Sequence, residues 1–193
     1  MSWSRRRILK AGGILAGAGA ASALVAPALG RVAAAESGRA AESDGDKRLT
    51  LKNLHTPETV TVTFRRGGAY APEALEKIEA ILRDYRTGER HPIDLPLLDY
   101  LHDVARIAQV DPVFSVISGY RSPKTNAMLH ERSGEVSSHS LHMEGRAIDV
   151  RLAGVDCADL ADKALGMKRG GVGYYRQSDF VHLDTGRFRT WRG

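Results

Sequence analysis

Cysteine is nearly missing from this chain: Cys157 is the only one in 193 residues. No internal disulfide can form, so stability must come from the core, with help from a bound metal if there is one. Cys157 sits in "DCADLADKAL" and reads as a small structural residue on a helix, not as a nucleophile. Aromatics are sparse at 6%, and no extended basic patch interleaved with aromatics supports a nucleic-acid-binding surface. A long, strongly apolar run is absent too. Residues 11–29 are rich in Ala and Gly, whereas a membrane-spanning helix wants about 20 strongly apolar residues. Acids are missing from residues 1–35, which hold Arg5, Arg6, Arg7, Lys10 and Arg31. Without those five cations the chain carries 23 residues of each sign. The pI near 9.5 is therefore a property of the N-terminal segment and says nothing about an anionic partner.

What the N-terminus does contain is ordered like an export leader. The basic cluster "SRRRILK" (4–10) precedes the Ala/Gly-rich run, and "APA" (26–28) and "AAA" (33–35) are small-residue cleavage sites. The paired arginines resemble a twin-arginine (Tat) signal. Residues 1–35 are read as that signal peptide, the alternative being a retained anchor. The mature protein is then exported to the periplasm, has no stable membrane span and is monomeric. Residues 36–48, "ESGRAAESDGDKR", are polar and read as a disordered linker. Residues 49–193 are long enough for one domain with its own core.

Within that domain the periodicity switches repeatedly. "RLTLKNL" (48–54) and "TVTVTF" (59–64) alternate as the strands of a hairpin. Helical spacing follows over 73–86 (Leu75, Ile78, Ile81, Leu82, Tyr85) and over 94–109 (Leu97, Leu98, Leu101, Val104). "PVFSVISGYRS" (112–122) is a strand running into a turn, and "SPKTNAMLHER" opens with a helix-start signal. "GRAIDVRL" (145–152) is a strand and 156–167 a helix. "GGVGYYRQ" (170–177) and "DFVHLDTG" (179–186) are paired strands, and "RFRTW" closes the chain as one more. The pattern predicts an α+β fold, a small antiparallel sheet with helices packed on one side.

The chemistry concentrates in "HSLHMEGRAID" (139–149). Asp149 lies in a strand between Ile148 and Val150, so its carboxylate faces away from them. Gly145 lets the preceding loop turn back and bring His142 toward it. A catalytic zinc commonly has three protein ligands and an open position. The best third ligand is His182, in a strand predicted to lie next to the one carrying Asp149. Two His and one Asp form a mixed N/O set suited to Zn²⁺. Glu144 reads as solvent-facing. His55, His91, His102 and His130 have no partner pattern and are taken as surface or packing residues.

His142-x-x-Gly145-x-Ala147-x-Asp149 followed by His182 resembles the signature of the zinc D-Ala-D-Ala metallopeptidase group, whose structural relatives include lysostaphin-type enzymes and the hedgehog domain. "SGYRSPKTN", "GGVGYY" and "FVHLDTG", in this order, narrow the resemblance to the YcbK-type family of exported murein endopeptidases, over residues 48–193. The resemblance implies a hedgehog- or D-Ala-D-Ala-peptidase-like fold and zinc-dependent hydrolysis of peptide bonds in peptidoglycan. It also implies that Arg121 binds the scissile carbonyl oxygen or a substrate carboxylate. In that group's carboxypeptidases a glutamate three residues before the last histidine is the general base. Asp179 takes that place here and is one methylene shorter. Asp184, two residues after His182 on the same strand face, is read as a hydrogen-bond partner for a ligand histidine. His139 lines the cleft or contacts substrate and Ser140 holds the loop, each with a structural role as the alternative. Two other functions stay open: a D-Ala-D-Ala-type carboxypeptidase, and a zinc-containing peptidoglycan-binding module without hydrolysis.

Overall fold

A computed structural model describes residues 45–133 and 136–193. The leader (1–35) and residues 36–44 of the linker lie outside the described residues. The first strand, β1 (Lys47–Asn53), starts within the segment read as linker. Then come β2 (Thr59–Arg66), β3 (Ala69–Tyr70), α1 (Pro72–Ile81), α2 (Leu95–Ile107), β4 (Val113–Ser118) and α3 (Pro123–Ser133). A short 3-10 helix (Leu141–Glu144) leads into β5 (Ala147–Leu152), α4 (Cys157–Met167), β6 (Gly171–Tyr175), β7 (Phe180–Asp184) and β8 (Arg189–Arg192).

The α+β class holds, but the sheet is neither small nor purely antiparallel. Eight strands run in the order β3-β2-β1-β4-β5-β7-β6-β8. β1 pairs with β4 in parallel, as β6 does with β8, and the other neighbours are antiparallel. A parallel pair needs a long crossover, and between β1 and β4 the chain supplies one: the rest of the hairpin, α1 and α2.

Alternation gives each central strand an apolar face. Leu49, Leu51, Phe64, Phe114, Ile148, Val150, Val181 and Leu183 are buried there in one cluster with Ile78 of α1, Leu98 and Leu101 of α2, and Leu160 and Ala164 of α4. At the centre of this cluster the Tyr100 hydroxyl donates to the Ala164 carbonyl at 3.0 Å. The intervening residues, among them Asp149 and His182, face the other way.

Helix α1 stops at Ile81, where helical spacing predicts continuation to residue 86. Asp84 explains the early end. Its buried carboxylate accepts the backbone N–H groups of Arg86 (2.9 Å) and Ser122 (2.9 Å) and the Ser122 hydroxyl (2.6 Å). Short acidic side chains compete with helical hydrogen bonding in this way. Tyr85 consequently leaves the core and stacks on His55 at 3.9 Å between ring centroids.

Candidate metal centre

The strands set two of the candidate ligands by register. Asp149 on β5 is the direct partner of His182 on β7, so both side chains emerge on one face. His142 arrives from the 3-10 helix, not from the irregular loop that the sequence suggested. Ser140 caps that helix, its hydroxyl accepting the His142 N–H at 3.4 Å. Gly145 ends it with φ 65°. A Cβ there would also stand 2.2 Å from the Pro92 carbonyl oxygen, so this glycine is required both by its backbone angle and by space.

Three donor atoms converge. Asp149 Oδ1 is 2.9 Å from His182 Nδ1 and 3.3 Å from His142 Nε2, and the two nitrogens are 3.3 Å apart. All three residues are buried. The outer nitrogens are tied down. His142 Nδ1 lies 2.7 Å from the Gly119 carbonyl, which only accepts, so Nδ1 carries the proton and Nε2 the lone pair. His182 Nε2 donates to Asp184 Oδ2 at 3.0 Å, turning Nδ1 toward the cluster. Ligands bound at 2.0–2.1 Å to a tetrahedral ion stand roughly 3.3 Å from one another. The donor set, spacing and outer hydrogen bonds therefore fit a zinc-like cation.

Without a cation, the charges of the three residues compensate one another. Burial holds the His142 pKa below its ordinary value. Burial also works against charge on His182, but its bonds to Asp149 and Asp184 prevail and push it up to about 9. Asp149 is desolvated, yet the two imidazoles hold its carboxyl well below the usual range.

Asp184 has no solvent exposure and is gripped from every side. Arg189 Nη1 and Nη2 donate to its two oxygens at 3.0 and 2.7 Å, and the N–H groups of Gly171 and Gly186 donate to Oδ1 at 2.9 and 2.8 Å. Two alternate glycines of β6 make the room. A Cβ on Gly171 would meet Asp184 Oδ2 at 2.4 Å and Arg189 Nη1 at 2.5 Å, and one on Gly173 would meet the Trp191 indole at 2.5 Å. That indole lies 5.1 Å from the His182 ring.

Arg121 closes the other side. Its Nη2 is 3.8 Å from Asp149 Oδ2 and 3.4 Å from the Ser118 hydroxyl, while Nη1 donates to Asn126 at 3.4 Å. Its buried Nε has no hydrogen-bond partner among the described residues. The backbone N–H of Arg121 donates to the His142 carbonyl at 3.1 Å, and Asp84 anchors the same turn through Ser122. The cluster opens into a cleft of about 490 Å³, lined by Arg121, His139, Ser140, His142, Asp149, His182, Arg189 and the aromatic rings of Tyr175, Phe180 and Trp191.

A family model described as "Peptidoglycan L,D-endopeptidase MepK" matches residues 41–191. The chain belongs to this peptidase family. An Escherichia coli K12 protein named peptidoglycan L,D-endopeptidase MepK is 37% identical over 188 residues, covering 97% of each chain. A Shigella flexneri protein of the same name matches to the same extent. A Haemophilus influenzae protein named probable peptidoglycan L,D-endopeptidase MepK is 38% identical over 146 residues, which is 75% of this chain and 78% of that one. No solved structure matches, so the hedgehog-like expectation rests on the sequence motifs alone.

Within this MepK-family chain, one expected site residue stands apart. Asp179 is a turn residue with φ 50°. Its carboxylate is 68% exposed and pairs with Arg151 at 3.1 Å, and it does not line the cleft. Counting three residues back from His182 crosses the end of β7 at Phe180, where the chain turns out to solvent. Glu144 is exposed and pairs with Arg146 at 3.1 Å. Cys157 is buried, its thiol pushed up to about 11 by desolvation and by Asp179, as suits a packing residue. His91 stacks on Tyr120 at 4.9 Å, and His102 Nδ1 faces the Arg48 carbonyl. The sequence reading missed Asp84, Tyr175, Arg189 and Trp191. One signal was present: glycines at alternate positions 171 and 173, on the strand beside His182, mark places that other side chains fill.

Proposed function

We propose that this chain hydrolyses an L,D peptide bond of peptidoglycan, with zinc held by His142, Asp149 and His182. One observation supports this above the others: two buried imidazole nitrogens and one carboxylate oxygen converge within ligand spacing while the outer nitrogens are fixed by Gly119 and Asp184. The names of the relatives supply the substrate class. Zinc in that position would supply Lewis acidity and make water nucleophilic near neutral pH. The protein's own groups do the rest. Asp184 and the Gly119 carbonyl orient the two imidazoles. Arg121 presents a permanent positive charge at the cleft, suited to the scissile carbonyl oxygen or a substrate carboxylate. His139, an imidazole on the cleft wall outside the cluster, is assigned as proton acceptor in place of Asp179. A wall substrate supports an extracellular or periplasmic location, in keeping with the leader-like N-terminus, for which the twin-arginine reading rests on Arg5–Arg7.

Among the described residues that line the cleft, Asp149 is the one carboxylate, which favours one competing reading, a zinc-holding module that binds peptidoglycan without cutting it. Purified muropeptide dimers separate the two. The mature protein should convert them to monomers, read by mass, and a chelator should stop the reaction. Zinc-loaded protein that leaves the dimers intact would establish the binding module. His142→Ala should lose both the metal, by elemental analysis, and the cleavage.

A further inference from the structure

Tyr175 ends β6 on the face that carries His182, and its phenol opens into the cleft. Its ring is held on both sides. It stacks on Phe180 at 4.5 Å between centroids and 15° between planes. Against its edge lies Gly193, where an added Cβ would come within 2.5 Å of the ring. The Trp191 indole spans from the His182 ring to this phenol and donates its N–H to the Tyr175 oxygen at 2.9 Å.

That single bond decides which way the hydroxyl points. An indole N–H can only donate, so Tyr175 must accept from it. The phenol's own proton is left over, and no acceptor for it is found among the described residues. It is therefore free to face the cleft, which it shares with Arg121 and the three candidate ligands.

We propose that Tyr175 is an oxyanion-stabilising donor, its hydroxyl proton bonded to the scissile carbonyl oxygen as water adds to the carbonyl carbon and the C=O electron pair moves onto that oxygen. Trp191 is its positioning residue. The inference rests on the hydrolytic reading above. A ring clamped before substrate arrives needs no reorganisation during the reaction, the condition under which such a donor is most effective. Phe180 and Gly193 then serve to fix one oxygen in space, and the glycine at 173 is needed so that Trp191 can reach across β6.

Tyr175→Phe keeps the ring and removes only the donor. It should lower kcat on muropeptide dimers by roughly 10²-fold, with KM and zinc content unchanged. Affinity for a phosphinate analogue of the scissile dipeptide, measured by calorimetry, should fall with kcat, while affinity for the cleaved product stays constant. Trp191→Phe should slow the otherwise native enzyme but cause no further loss in the Tyr175→Phe background. Unchanged kcat in Tyr175→Phe, or a change confined to KM, would overturn the assignment. Equal losses from Trp191→Phe in both backgrounds would overturn the positioning role. Wild-type protein that is zinc-loaded and inactive sinks the hydrolytic reading itself. Active wild type with equally active Tyr175→Phe sinks only the tyrosine.

Discussion

Asp149 and Asp184 lie on opposite sides of one imidazole: Asp149 Oδ1 is 2.9 Å from His182 Nδ1, and Asp184 Oδ2 is 3.0 Å from Nε2. The two carboxylates are not equivalent. Asp149 sits 3.3 Å from a second histidine and at the floor of the cleft. Asp184 is withdrawn from solvent and held by Arg189 and two backbone N–H groups. One is therefore placed to bind a cation and the other to aim the histidine that binds it.

Asp184→Asn tests that division. The amide fills the same space but is a weaker acceptor for the His182 N–H, and it leaves Arg189 without its anion. Zinc affinity should fall by about 10–100-fold, read by competition with a chelator of known affinity, and cleavage should recover at saturating zinc. An unchanged affinity would show that Asp184 has no part in holding the metal.

Asp179→Ala should leave cleavage of muropeptide dimers within about twofold of wild type. An exposed ion pair of this kind contributes about 0–1 kcal/mol, and the carboxylate is turned away from the cleft. A loss of tenfold or more with zinc still bound would restore Asp179 as the base and remove His139 from that role, whereas His139→Ala should lower kcat with zinc content intact.

Asp84 gives a dependence of stability on pH. Burial alone would raise its pKa, but bonds from Ser122, Thr125 and the backbone N–H groups of Ser122 and Arg86 prevail and hold it at about 2. Its unfolded value is about 3.9. A depressed folded pKa stabilises above the unfolded value, and that stabilisation is lost as pH falls through the folded one. Wild type should therefore lose about 2 kcal/mol between roughly pH 4 and pH 2 from this group. Asp84→Asn should be less stable at pH 7 by a comparable amount and should lack this part of the acid limb in urea unfolding series. Curves that stay parallel down to pH 2 would refute the linkage. Because the same carboxylate anchors the turn bearing Arg121, kcat/KM should fall as well.

Gly173→Ala places a methyl group where the Trp191 indole lies. A rigid two-ring system cannot yield by a small rotation, so the variant should lose about 1–3 kcal/mol of stability. Trp191 fluorescence should shift as the indole moves. Gly166→Ala is the control: the added methyl meets nothing within 4 Å, and the helix should be slightly stabilised.

The contrast between His182 and Asp179 shows what was legible in the sequence. Each strand's alternation is written in its own residues, so Asp149 and His182 could be assigned to one face before their pairing was known. Strand order is not written locally, since a buried alternating strand looks the same beside a parallel or an antiparallel neighbour. The mixed eight-stranded sheet was hidden for that reason. Asp179 lies away from the cluster because a fixed offset from His182 carries no information on where the strand ends, and here the chain turns at a positive φ. The end of α1 was missed because the groups that claim Asp84 include Ser122, far along the chain. Trp191 escaped notice because β8 reaches the site only through its parallel pairing with β6.

The two candidate ligands on strands and the third candidate come from regions of different expected permanence. β5 and β7 have hydrogen-bonded neighbours on both sides, so Asp149 and His182 belong to the part of the protein that opens last. His142 rides on one turn of 3-10 helix, held by Ser140, Gly119 and Arg121. Segments of that kind open locally at much lower free energy than a sheet interior. A cation binding all three would fasten the weak segment to the strong one. Its arrival should then register in amide hydrogen exchange as slowed exchange over residues 139–145, with the exchange of β5 and β7 already at the global limit and hardly altered.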